Sequence, residues 1–151
     1  MANSQAMCTS FKVEILGGVH AIGTPPTRAT TAKDVFKAAL FLASASLGAG
    51  TTAYSTSGEV SGAGYSAGGI TVTNATAPTS SGTTAYWTPS ASLVYTSVTL
   101  TTAFDAVLIY NSSQGDKAVA VYTFGSQTVT SGTFTLTMPT NDSSTALLRI
   151  A

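Results

Sequence analysis

The feature that most restricts the fold of this chain is the two-residue alternation of apolar and polar side chains that recurs from residue 70 onward. The clearest case is GTFTLTM at 132–138, where threonines alternate with larger apolar residues. Such a period is typical of a β-strand with one face in the core and one face in solvent. Phe134, Leu136 and Met138 are therefore predicted to point inward, with the threonine hydroxyl groups in solvent.

Two other segments support the same interpretation. The segment 104–110 is apolar on both faces except at Asp105, which is typical of a central strand, and it is predicted to form a hairpin with 117–124. The segment 33–43 fits a strand better than a helix, because its alternate residues then form one apolar face. The residues of that face are Phe36, Ala38, Leu40 and Leu42.

The remaining strands are predicted from the same alternation. They lie at 70–73, 84–88, 94–100, 132–138 and 145–150. In the third of these, the residues predicted to share one face are Val94, Thr96, Val98 and Leu100. About eight strands separated by Gly, Ser, Thr and Pro turns predict an all-β protein, an antiparallel β-sandwich of jelly-roll-like type.

The N-terminal part of the chain lacks this alternation. Residues 1–31 are predicted to form an N-terminal arm with a short helix and a Pro-containing connector, and residues 32–151 the β-sandwich domain. Residues 1–8 are predicted to be a loose arm that can become ordered on a partner. The connector at 23–31 contains two consecutive prolines, which forbid a helix and favour an extended path.

A short helix is predicted at 10–17. Ser10 or Thr9 can cap its N-terminus, and Gly17 can end it. Phe11 and Ile15 are four residues apart and share one helix face. This face is expected to attach the arm to the core.

The segment 51–73 stands out because it contains five glycines within twelve residues together with Tyr54, Glu59 and Tyr65. Glycine serves where the backbone needs a positive φ or a close approach to another group. The pattern therefore indicates a shaped loop with a fixed contact to make, in which Glu59 and Tyr65 hold the shape. It favours a structural or docking role.

Charged residues make up only 8% of the chain and its net charge is zero, whereas about 25% is usual. Six scattered basic residues argue against nucleic-acid binding, which needs clustered Lys and Arg. A chain without net charge also has little protection from self-association. We therefore expect a protein that works as a homo-oligomer or inside a larger assembly.

Catalytic chemistry is not indicated. His20 is the single histidine, and an imidazole after a helix end more often bonds free carbonyl groups than serves a catalytic triad. Glycosidase chemistry needs two facing carboxylates, and Asp105 with Glu59 is the pair that could meet; turn contacts or ion pairs are the stronger interpretation for both. We expect no enzyme, no cofactor and no metal.

The chain offers no sign of membrane insertion or secretion. Its first ten residues lack the basic and apolar regions of a signal peptide, and the longest apolar run, at 38–43, is too short to span a bilayer. We therefore expect a reducing compartment, in which the single cysteine, Cys8, stays a free thiol.

Several blocks of the sequence form an ordered set. They are FKVEILGGVH at 11–20, FKAALF at 36–41, TTAY at 51–54 with GEVSGAGYSAGG at 58–69, and AVLIYN at 106–111 with AVAVYTFG at 118–125. In this order and spacing they resemble a family of small structural proteins of tailed bacteriophages. The resemblance extends over nearly the whole chain from about residue 11. The family has no catalytic residues to transfer.

The resemblance implies a virion protein that is assembled in the host cytoplasm and lies on the capsid exterior as a cement or decoration protein. Its implied partners are the major capsid protein and copies of itself. The alternative is a tail-associated, neck-associated or receptor-binding β-domain that holds host glycans with exposed aromatics. The candidate interface residues are Phe11, Glu59, Tyr65 and Trp87, and the preferred contact elements are the arm and the glycine-rich loop.

Overall fold

The computed structural model describes residues 2–16, 18–22 and 33–151, except the side chains of Val13 and Leu16. One helix lies in the described residues, α1 (Thr9–Leu16), and a single 3-10 turn at Ser112–Gln114 connects the two longest strands. The strands are β1 (Ala6–Met7), β2 (Phe36–Leu42), β3 (Ile70–Thr71), β4 (Thr79–Ser81), β5 (Thr84–Trp87), β6 (Leu93–Asn111), β7 (Lys117–Leu136) and β8 (Leu148–Ile150).

These strands form two antiparallel sheets. The larger sheet has five strands in the order β1-β7-β6-β2-β3, and the smaller has three in the order β4-β5-β8. The prediction of an all-β, antiparallel, sandwich-like fold is therefore confirmed. The jelly-roll connectivity is not confirmed.

The β6–β7 hairpin dominates the larger sheet. Its strands contain 19 and 20 residues, whereas ordinary strands have about 5–6. The predicted hairpin between 104–110 and 117–124 is confirmed, because Val107 pairs with Tyr122 and Asn111 with Lys117. The separate strands predicted on either side of it are instead continuations of β6 and β7.

The predicted face of 94–100 is wrong, because a bulge changes the phase of the alternation. Leu93 and Tyr95 are buried before the bulge, and Val98 is buried after it, whereas Val94 is 42% exposed. The register shifts between Tyr95 and Val98, and Ser97 has a φ of 54°. An extra residue at a bulge moves the following side chains to the other face.

Both faces of the central strands are covered, as predicted for 104–110. On one face the ring of Phe36 in β2 lies 6.2 Å from that of Trp87 in the smaller sheet. On the other face Tyr110 in β6 stacks at 4.5 Å on Tyr54, which belongs to the glycine-rich loop. The core consequently lies on both sides of the larger sheet.

The predicted N-terminal helix is confirmed. In α1, Phe11 is fully buried and Ile15 packs against the core. Gly17, the predicted helix end, and the connector at 23–31 lie outside the described residues.

The prediction of a loose arm is wrong for residues 2–8. Ala6 and Met7 pair with Val121 and Ala120 of β7. The side chain of Asn3 donates to Leu42 O at 3.1 Å. The arm is held because β7 offers it a free edge at these positions.

Candidate functional site

The first polar cluster, which we name the Glu59 clasp, closes the glycine-rich loop. Glu59 Oε2 accepts a hydrogen bond from Tyr54 Oη at 2.6 Å. Its Oε1 accepts from Tyr65 Oη at 2.7 Å and from the Gly68 amide at 2.8 Å. The predicted role of Glu59 and Tyr65 in holding the loop is thus confirmed.

The glycines let this loop lie directly on the protein's own sheet. Gly69 has a φ of 68°, and a Cβ atom there would overlap the carbonyl group of Ala38 in β2. A Cβ atom at Gly62 would overlap the Thr99 carbonyl in β6. The close approach predicted from the glycines therefore occurs within the molecule.

The tyrosines around the clasp act as hydrogen-bond donors to fixed acceptors. Tyr95 Oη donates to Ala38 O at 2.9 Å, and Tyr110 Oη to Gly68 O at 2.8 Å. Burial, reinforced by the Asp116 and Glu59 charges, raises the pKa of Tyr110 to about 12. Burial and the bond to Glu59 also raise the pKa of Tyr65. These hydroxyl groups stay protonated near neutral pH.

The second polar cluster, the Asp34 network, joins distant parts of the chain. Asp34 Oδ2 accepts from the Ala21 amide at 2.8 Å and from Asn111 Nδ2 at 2.7 Å, and Oδ1 accepts from Gln114 Nε2 at 3.0 Å. Burial opposes ionisation of Asp34, but these three hydrogen bonds outweigh it and hold the pKa of the carboxyl group below its ordinary value.

His20 extends this network to the helix. Its side chain is fully buried, and Nδ1 lies 3.0 Å from Asn111 Nδ2, a donor, so that the proton of the neutral ring is assigned to Nε2. Nε2 lies 2.8 Å from Glu14 Oε2, and Lys117 Nζ donates to Glu14 Oε1 at 2.6 Å. Burial raises the pKa of Glu14, but the bonds from Lys117 and His20 outweigh it and lower that pKa.

Both ring nitrogens of His20 are thus occupied by an amide and a carboxylate. Among the described residues no serine, threonine or cysteine bonds to this ring, so the arrangement fits the structural interpretation of His20. Cys8, which directly precedes α1, is fully buried. Burial and the nearby Glu14 charge raise the pKa of the Cys8 thiol to about 11, which keeps it in the unreactive thiol form.

The two carboxylates weighed for hydrolysis belong to different clusters. Asp105 accepts from Asn3 Nδ2 at 2.7 Å, while Glu59 is engaged in its clasp. In the part of the chain that the structure describes, no group of three or more His, Cys, Asp or Glu residues could hold a metal ion. No helix of the described residues is long and apolar enough to cross a membrane.

The four predicted interface residues lie inside the molecule or partly so. Phe11 is fully buried and Trp87 is 3% exposed, and Trp87 Nε1 donates to Thr76 O at 2.9 Å. Glu59 and Tyr65 are half-buried in the clasp. The aromatic side chains of Phe11 and Trp87 therefore contact the protein's own core, which leaves little of either for a partner.

Phe11 and Trp87 both line an apolar groove of about 270 Å³ between α1 and the smaller sheet. Ile15, Tyr86 and Leu148 also border it. Beside the imidazole of His20, which the Asp34 network already engages, its lining is mainly aliphatic and aromatic. Such a lining has no convergent polar groups that would orient a specific ligand.

Sequence reasoning missed Asp34 and Asn111. Asp34 stands just before β2, and Asn111 ends β6. They meet because Phe36 pairs with Asn111 in the sheet. The one sequence signal is a polar residue next to each apolar strand, a pattern that occurs at many strand ends.

Comparison of the chain with family models, with curated proteins and with solved structures finds no match. The resemblance to bacteriophage structural proteins therefore stays a prediction.

Proposed function

We propose that the protein is a non-enzymatic structural component of a bacteriophage particle, a cement or decoration protein on the capsid exterior. In this role it bridges neighbouring capsid subunits and raises the free energy needed to open the shell. Its partners are the major capsid protein and further copies of itself.

The observation that carries the proposal is that three carboxylates of the chain are engaged in hydrogen bonds within the molecule. Glu59, Asp34 and Glu14 each accept hydrogen bonds from the protein's own groups, and each fixes a loop or terminus against the sheet. A rigid surface loses little conformational entropy when it binds. A chain that contributes stiffness and surface suits a bridging role.

The low charge of the chain adds support. With 8% charged residues and no net charge, copies do not repel one another when they are packed densely on a shell. A stable joint of this kind buries at least about 1,000 Å² in total.

The proposal is tested on purified particles that contain the protein. Electron microscopy of intact particles is expected to show its density over the joints between capsid subunits, in regular occupancy. Particles stripped of the protein are expected to open at a lower temperature and to regain stability when it is added back. Absence from the shell lattice would overturn the proposal, and a few copies per particle would move the protein to the tail or neck.

Glycan binding by exposed aromatics is the less favoured alternative. It would use Trp87 and Tyr65, but Trp87 is 3% exposed and Tyr65 Oη bonds to Glu59 and to the Leu40 amide. The Trp87 ring therefore offers no open face for stacking on a sugar, and the Tyr65 ring already stacks on Tyr95 at 6.0 Å. No observation on the described residues favours a receptor-binding role.

A further inference from the structure

The outer half of β7 is an open sheet edge. Its inner half is covered by the arm, whose Ala6 and Met7 pair with Val121 and Ala120. Beyond these positions β7 continues to Leu136 beside β6 alone. In the described residues no backbone hydrogen bond from another segment reaches 123–136 on the outer side.

The other sheet edges are short. The edge strands β1, β3, β4 and β8 contain two or three residues each, and short edges are a common protection against unwanted strand pairing. Charged residues and prolines are the other usual protection. The stretch 118–136 contains neither a charged residue nor a proline.

Bulges divide this long edge, and one regular run remains. The register of β6 against β7 shifts between Phe104 and Ala106, and Ser131 in β7 has a φ of 48°. After Ser131, residues Gly132–Leu136 continue β7 to its end, and Gly132, Phe134, Thr135 and Leu136 pair with β6. The register shift between Tyr95 and Val98 places the extra residue of this segment in β6, so β7 itself has no bulge here. In this run Phe134 and Leu136 are half-buried, and the threonines are exposed.

The run is complementary to itself. Two antiparallel copies related by a two-fold axis at Phe134 place Phe134 opposite Phe134, Thr133 opposite Thr135, and Gly132 opposite Leu136. Aromatic pairs and threonine pairs directly opposite each other stabilise antiparallel strands, and the absence of charge leaves no repulsion.

We infer that Gly132–Leu136 is a self-association edge, at which a second copy of this chain continues the five-stranded sheet in antiparallel fashion about a two-fold axis at Phe134. The inference rests on the proposed function in one respect: both require that copies of this chain bind one another. Phe124 and Phe134 are half-buried, and their rings lie 5.0–6.0 Å from each other and from the buried ring of Phe104. The added strand gives this aromatic group further cover. Such an interface is isologous and closes as a dimer.

The dimer is expected to be weak in isolation. The proposed ladder between copies spans only Gly132–Leu136 and buries less than the roughly 1,200 Å² of a standard stable interface, so a dissociation constant of about micromolar or weaker is expected. Sedimentation equilibrium up to about 1 mM protein covers this range. A chain that stays monomeric throughout would overturn the inference.

Charge variants at two exposed positions test the register. In Thr133→Lys/Thr135→Lys, introduced lysines face each other at both crossings, and dimerisation should weaken roughly tenfold or more. In Thr133→Lys/Thr135→Glu, each introduced lysine faces an introduced glutamate of the copy, and dimerisation should return to the wild-type level or above. Equal dimer dissociation constants for the two variants would overturn the two-fold pairing. If both constants also equal that of the wild type, the dimer contact lies elsewhere and the inference is overturned.

Disulfide trapping supplies a second readout. Thr133→Cys/Thr135→Cys should form a covalent dimer under mild oxidation, because directly opposite residues lie within disulfide reach. The matched control is Thr128→Cys/Thr130→Cys, on the same exposed strand, whose positions have no counterpart in the proposed register. Cys8 is buried and is present in both variants. Equal cross-linking of both pairs would overturn the register.

The two proposals fail separately. A monomeric protein that still occupies capsid joints would refute self-association at this edge and leave the bridging role standing. A dimer of the stated register that is absent from particles would refute the bridging role and leave self-association at this edge standing. The edge could instead pair with a strand of the capsid protein. The protein would then be monomeric in solution, and its Thr133→Lys/Thr135→Lys variant would no longer bind particles; this result would overturn self-association.

Discussion

The Glu59 clasp and the Asp34 network each surround one carboxylate with three hydrogen-bond donors, but they join the chain over different distances. The partners of Glu59 lie 5, 6 and 9 residues away. Those of Asp34 lie 13, 77 and 80 residues away. The clasp therefore shapes one loop, while the network fastens the N-terminal segment to the far end of the central hairpin.

The difference teaches that similar local chemistry stabilises two levels of structure. Loss of the clasp is expected to loosen a loop that lies on an intact sheet. Loss of the network is expected to release the N-terminal segment from the end of the central hairpin, because these two parts are far apart in the sequence. The following variants test this contrast.

The largest effect is expected where the loop meets the sheet. Gly69→Ala places a Cβ atom against the Ala38 carbonyl at a φ of 68°, so destabilisation of at least about 4 kcal/mol, or failure to fold, is expected. Gly50→Ala is the control, because no atom lies within 4 Å of its Cβ position, and it should change the unfolding free energy by less than about 0.5 kcal/mol. Urea unfolding measures both, and equal stability of the two variants would contradict close packing at Gly69.

Removal of the network carboxylate should come next. Asp34→Ala leaves the donors of Ala21, Asn111 and Gln114 without their acceptor in a buried site, and about 3 kcal/mol of unfolding free energy should be lost. Asp116→Asn is the control, since this exposed side chain can be replaced at a cost below about 0.5 kcal/mol. Denaturant unfolding measures the unfolding free energies of both variants. A loss no greater than that of the control would show that the network does not fasten the N-terminal segment.

A smaller, local effect is expected at the clasp. Glu59→Ala should cost about 2 kcal/mol, and Tyr54→Phe, which removes one of its bonds, about 1 kcal/mol. Because both remove the bond between Tyr54 and Glu59, the double variant should cost less than the sum.

Hydrogen exchange separates this effect from global unfolding. In Glu59→Ala the amides of 51–69 should exchange faster while those of the central hairpin keep their protection. In Asp34→Ala protection should fall throughout the sheet. The same pattern in both variants would remove the contrast between clasp and network.

The smallest effect is expected on acidification. The pKa values of Glu14 and Asp34 are lowered in the folded protein from 4.5 and 3.8, so each adds stability that is complete above those values. This stability is lost as the pH falls through the lower folded pKa values. Unfolding free energy should therefore decline below about pH 4.5.

Asp34→Asn is the matched variant for this pH dependence. It cannot titrate at position 34, so its unfolding free energy should change less with pH in the acid range than that of the wild type. Urea unfolding at a series of pH values measures the two slopes. Identical slopes would show that Asp34 does not contribute to acid sensitivity.

The strands were predictable where the alternation is strong. The strand at Phe36–Leu42 follows from the side-chain period, and the hairpin around 104–124 follows from a run that is apolar on both faces. The buried face of 94–100 was not predictable, because one residue in a left-handed conformation, Ser97, reverses the alternation without any signal in residue type. The length of β7 was also missed, because Gly and Ser that resemble turn residues continue the strand when β6 pairs with them.

The clasp was predictable in part because its members are neighbours in sequence. Five glycines around Glu59 and Tyr65 indicated a loop with a fixed shape. The contact that this shape serves was not predictable, since the surface on which Gly62 and Gly69 lie belongs to distant strands. Phe11 was predicted both to attach the arm to the core and to contact a partner, and the structure shows it in the core. For Trp87 only the packing of the smaller sheet against β2 assigns the side chain to the core.

The sequence by itself determined the antiparallel β class, the central hairpin and the stiff glycine-rich loop, because side-chain period and glycine content act over a few neighbouring residues. Tertiary structure alone decided that Asp34, His20 and Asn111 meet, that the arm lies on β7 and that the edge beyond Val121 stays open. These outcomes depend on strand register and on which element covers which edge. Both are set by the packing of segments as far apart in the chain as Ala6 and Val121, to which no local pattern refers.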